Sequence, residues 1–84
     1  MSNKNLQSIP GIGKSLSQDL IDLGYSTVDE LKSEDPEMMY QDLIALRGHH
    51  IDRCVLYIFR CAVYFASHDT HDRELLKWWN WKDR

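Results

Sequence analysis

Six residues, Ile9-Pro10-Gly11-Ile12-Gly13-Lys14, leave this chain few choices of fold. A proline pushes the residue before it out of the α region, so any helix carrying Leu6 must stop at Ile9. Pro10 fixes its own φ, whereas Gly11 and Gly13 admit backbone angles and close approaches that a Cβ would obstruct. Ile12, alone between two glycines, can only turn inward. From Lys14 to Leu23 the sequence is helix-compatible, with Leu16, Leu20 and Leu23 on one face and Ser17, Asp19 and Asp22 off it. The expectation is helix, tight glycine hairpin, helix.

This order, followed by Leu20-Ile21-Asp22-Leu23-Gly24, resembles the helix-hairpin-helix motif. In that family the hairpin amides face a nucleic-acid phosphate, which agrees with the anion affinity of exposed N–H groups at a helix start. The resemblance implies DNA phosphate contacts at Gly11, Ile12, Gly13, Lys14 and Ser15.

Further along, Gly24 suits a helix end, and Ser26 or Thr27 can cap a short helix through Val28 and Leu31, with Asp29 and Glu30 in its first turn. Asp35-Pro36-Glu37 supplies an N-cap, a proline at N1 and an early acid, starting a helix that runs to about Arg47 and ends at Gly48. Its inner face is Met39, Leu43 and Leu46, with Met38 or Tyr40 and Ile44 beside them. The order of Leu43, Leu46 and Gly48 repeats that of Leu6, Ile9 and Gly11, but without the proline and second glycine. This predicts a degenerate second hairpin over residues 36–67, related to the first over residues 1–24 by a pseudo-two-fold axis. Its phosphate-facing candidates are Gly48, His49, His50, Arg53 and Arg60.

Asp52 caps the most apolar segment, Arg53 to about Ala66, the expected central helix. Arg53, Tyr57, Arg60, Tyr64 and Ser67 form one polar-aromatic stripe along it. The stripe is either a solvated edge whose arginines pair with acids of the midsection, or an edge that binds phosphate or a partner. Residues 68–84 are a polar turn followed by a helical turn or two from Arg73 to Trp79. Trp78, Trp79 and Trp81 either cover the small core or form an exposed aromatic patch.

IPGIGKS, the Asp35-to-Tyr40 helix start, ALRG before IDRCVLYIFRCAVYFA, and LKWWNWKD together resemble the small bacterial pathogenicity-locus family of helix-hairpin-helix proteins, also described as mitomycin-resistance-like. The resemblance spans nearly the whole chain. It implies an all-α fold, a compact five- to six-helix bundle of tandem helix-hairpin-helix units of the SAM-domain-like class, and a DNA-related role.

Chemistry finds less support. Gly13-Lys14-Ser15 is not a phosphate loop, because Ser8 stands at its first glycine position and residues 1–7 are too short and polar for the required strand. Gly11-Ile12-Gly13 lacks the third glycine of a dinucleotide fingerprint. Cys54 and Cys61, seven apart in one helix, lie about 10 Å apart along its axis, too far for a disulfide or a shared ion. His68-x-x-His71 gains no quartet of ligands, no catalytic set is suggested, and no cofactor is expected.

Eighty-four residues with 43% apolar and 27% charged side chains indicate one globular domain. No run is long enough to span a membrane and Met1-Ser2-Asn3-Lys4 does not begin a signal peptide, so a cytoplasmic monomer or homodimer is expected. The net charge of −3 is concentrated in the midsection, where six acids from Asp29 to Asp42 face Lys32 and Arg47. Such a balance favours weak, non-specific DNA binding, or a protein-interaction adaptor in which the hairpin is only a joint.

Overall fold

Phe59, fully buried, sits midway along α3 (Arg53–Ser67), and the rest of the chain is arranged around that helix. The computed structural model describes residues 6–82. Among them are two further α-helices, α1 (Lys14–Asp22) and α2 (Pro36–Arg47), three 3-10 turns, η1 (Val28–Leu31), η2 (Arg73–Leu76) and η3 (Trp78–Trp81), and no strand. Where five or six helices were expected, the shorter elements are thus four-residue 3-10 turns. The first helix, expected over residues 3–8, lies largely outside the described residues; Leu6 is helical, and Gln7 and Ser8 turn.

Local chemistry sets most of the boundaries. Asp35 and Asp52 accept the N–H groups of Glu37 and Cys54, each at 2.9 Å, and so cap α2 and α3. Pro36 occupies the first turn of α2, and Gly48 ends the helix at φ 75°, in the left-handed region that glycine enters without penalty. Thr27 is the N-cap of η1, where the Glu30 carboxylate accepts its N–H at 3.1 Å. No helix is long and apolar enough to cross a membrane among the described residues.

The core gathers Leu56, Ile58, Phe59 and Ala62 of α3 with Met39, Tyr40 and Leu43 of α2, Leu31 of η1, Leu20 of α1, and Leu6, Ile9 and Ile12. Its α2 face includes Tyr40, whose hydroxyl donates to the Ile51 carbonyl and ties down the loop before α3. Leu46, expected inside, is 49% exposed. Ser17, expected off the buried face of α1, is fully buried, because its hydroxyl donates to the Lys14 carbonyl at 2.8 Å and brings no unsatisfied group into the interior. The radius of gyration, 11.7 Å, matches the roughly 12 Å of a compact chain of this length.

The chain after α3 folds back along it. The His71 Nε2–H donates to the Phe65 carbonyl at 2.8 Å while its ring stacks on Phe65 at 4.7 Å, and the Asp72 N–H donates to the Tyr64 hydroxyl at 2.8 Å. The three tryptophans then part company. Trp78 packs on the core, Trp81 is half-buried with its Nε1–H donated to the Leu75 carbonyl at 2.8 Å, and Trp79 is 56% exposed.

Two carboxylates should contribute to acid sensitivity. Hydrogen bonds from Arg47 and then Gln18 hold Asp22 below its ordinary range, and the Cys54 N–H does the same for Asp52. A depressed folded-state pKa stabilises above the unfolded value and is lost as pH falls through the folded one. Urea midpoints should therefore be flat at neutral pH and fall below roughly pH 4. Asp22→Asn/Asp52→Asn should flatten that fall, since asparagine still caps α3 but no longer titrates.

Candidate functional site

The turn between Leu6 and α1 is built on two anchors. Ile9 and Ile12 are 1% and 4% exposed, and successive bonds of 3.1 Å, Ile9 N–H to the Leu6 carbonyl and Ile12 N–H to the Ile9 carbonyl, coil the chain between them. Ile12 thus spends both its side chain and its N–H on the fold. Gly11, Gly13, Lys14 and Ser15 remain at the surface.

The two glycines have different reasons to be glycine. Gly11 adopts φ 88°, and a Cβ there would lie 2.9 Å from Cδ1 of Trp78 and 3.5 Å from Cγ2 of Ile58. It is held against the tail. Gly13 has φ −97°, which any residue adopts, and a Cβ there would meet nothing within 4 Å. As the N-cap of α1 it brings no side chain over the helix start. The first intrahelical bond runs from the Ser17 N–H to the Gly13 carbonyl at 2.9 Å, so the N–H groups of Lys14, Ser15 and Leu16 have no acceptor among the described residues. No acid stands in that first turn either. The result is a helix start with positive character, an adjacent ammonium, and an open approach.

At the other end of α1, Arg47 binds Asp19 and Asp22 at 2.5 and 2.7 Å. This ties the end of α2 to the C-terminal half of α1, about 8–12 Å along the axis from Lys14. Gly48 shares the positive φ of Gly11, and His49 and His50 are exposed, with the His49 Nδ1–H donated to the His50 carbonyl at 2.9 Å. The repeat of the first turn fails at Leu46, whose counterpart Ile9 is buried.

Arg53 is exposed at the start of α3, whereas Arg60, two turns on, is committed. Its guanidinium holds Glu37 at 2.6 Å and donates to the Trp81 carbonyl at 2.7 Å, leaving its side chain 14% exposed. Ser67, at the end of the stripe, accepts the Ser33 N–H at 3.0 Å. Arg60 and Ser67 therefore help to seat the start of α2, the Ser33 turn and the returning tail, whereas Arg53 stays at the surface. The sequence did not show the seating of Gly11 under Trp78. Proline and two glycines announce a tight turn, but not which distant ring it accommodates.

Comparison with known proteins gives one positive result: the family model described as Pathogenicity locus matches residues 1–84. No curated protein matches the chain, and no solved structure does.

Proposed function

The chain belongs to the Pathogenicity locus family, and from that premise we propose that residues 6–24 act as a helix-hairpin-helix unit of a SAM-domain-like, mitomycin-resistance-like member, a non-catalytic cytoplasmic module that holds DNA phosphate without reading sequence. The observation that carries this reading is the bare start of α1. Asp35 and Asp52 each set a carboxylate at the starts of α2 and α3 and accept one N–H there, whereas Gly13 places no side chain at the start of α1 and leaves its first N–H groups to an outside acceptor. A phosphate oxygen fits that position, with Lys14 supplying charge and Ser15 a hydroxyl.

The charge available is small, since Lys14 is the only cation in the turn and the chain carries −3 overall. Each neutralised phosphate contributes about −0.9 to the slope of log K against log salt, so binding should be weak and confined to low salt. Fluorescence anisotropy with labelled duplex and branched DNA measures it. Gly13→Asp gives the sharpest variant, because its carboxylate would occupy the N–H groups itself. It should stabilise α1 by a few tenths to about 1 kcal/mol while removing DNA binding. Adding Lys14→Glu should leave no binding at any salt. DNA binding that survives both changes refutes the proposal.

Exposed Trp79 favours a second reading, a protein-interaction adaptor or homodimer in which the turn is only a joint. Absence of DNA binding at low salt in the parent protein would leave that reading in possession.

A further inference from the structure

The C-terminal half of α3, the start of α2 and the end of η3 line an open cavity of about 250 Å3, apart from the glycine turn. Aromatic rings make up much of its lining. Tyr64 lies 4.9 Å from His68 and 5.5 Å from Trp81, tilted by 41° and 44°, with Val63 and Pro36 completing the apolar lining.

The polar part of the lining includes donors with hydrogens to spare. A guanidinium has five N–H groups. Arg60 gives Nε and Nη2 to one oxygen of Glu37, at 3.2 and 2.6 Å, and Nη1 to the Trp81 carbonyl at 2.7 Å, which leaves two N–H groups uncommitted. The Ser67 hydroxyl accepts the Ser33 N–H and keeps its own proton to give. Among the described residues no carboxylate lines the cavity, although Glu37 pairs with Arg60.

Aromatic rings beside a guanidinium with N–H groups to spare suit a flat ring with an anionic acceptor. Drug-sized ligands occupy about 300–1,000 Å3, so this one holds a single one- or two-ring system. We propose that the cavity binds a planar aromatic anion, its ring stacked on Tyr64 and Trp81 and its acceptor on Arg60 and Ser67. A free aromatic carboxylate and a purine nucleotide both offer this chemistry.

Amide-resolved NMR titration with indole-3-carboxylate, guanosine monophosphate and neutral indole tests the proposal and separates the sources. Indole-3-carboxylate should shift the resonances of Val63, Ser67, His68 and the Trp81 indole, and indole should bind about tenfold more weakly for want of the charge-assisted bonds. Response to guanosine monophosphate alone would keep the site and assign it to a nucleotide. Val63→Trp should fill the cavity and abolish the shifts. His68→Ala, at an exposed position that the core does not need, should weaken binding about threefold by removing one ring. The proposal is overturned if no probe shifts these residues, if indole binds as tightly as its carboxylate, or if His68→Ala binds unchanged.

Discussion

Phe59→Ala is expected to cost about 3–5 kcal/mol, the range for truncating a large buried aromatic. The ring is fully buried, and the core cluster around it draws on every part of the described chain before residue 67, from Leu6 and Leu20 through Leu31, Met39 and Leu43. A domain of this length has a total stability of about 4–13 kcal/mol, so the loss ranges from a quarter of the fold to all of it. Urea denaturation followed by far-UV circular dichroism measures the effect. Met38→Ala provides the control. That side chain is 57% exposed on α2, and its removal should move the midpoint by no more than about 0.5 kcal/mol. Equal effects at the two positions would mean that α3 is not the centre of the core.

How much of this was legible in the sequence depends on how local the determining physics is. Asp35-Pro36-Glu37 and Asp52 announce helix starts because a cap is made with amides two residues away, and Gly48 announces an end because the left-handed conformation belongs to that residue alone. Ser17 departs from the helical pattern for a local reason: a hydroxyl that bonds its own preceding turn is free to be buried. Leu46 departs from it for a distant one. Tyr40, reaching the Ile51 carbonyl, and Arg47, turned to Asp19 and Asp22, settle which side of α2 faces inward, and neither partner adjoins α2 in sequence. The same holds for function. The open start of α1 lies within four consecutive residues, whereas the cavity is assembled from Pro36, α3 and Trp81, with Arg60 held in place by Glu37. A helical stripe could suggest that Arg60, Tyr64 and Ser67 share a face, but not that two other segments roof it.

Gly11→Ala should separate what the glycine turn does for the fold from what it does for a ligand. A left-handed conformation costs an L-residue about 1–2 kcal/mol, and the added methyl would stand 2.9 Å from Cδ1 of Trp78, a ring that packs on the core and can retreat only by disturbing it. Together these should destabilise by about 2–4 kcal/mol, and each kcal/mol lowers the melting temperature by about 4–8 °C in a domain of this size. Gly13→Ala has ordinary backbone angles and open space, so it should cost less than about 1 kcal/mol, the loss of a tolerable N-cap. A double-mutant cycle with Trp78→Ala isolates the steric part: once the ring is gone, Gly11→Ala should retain only its conformational cost. If Gly11→Ala proves no worse than Gly13→Ala, Trp78 does not seat on the turn. If the two differ as expected, Gly11 is accounted for by the fold, whereas neither backbone angle nor crowding requires glycine at position 13. That asymmetry is what the phosphate proposal explains, since a glycine N-cap keeps the Lys14, Ser15 and Leu16 amides open where an aspartate would close them.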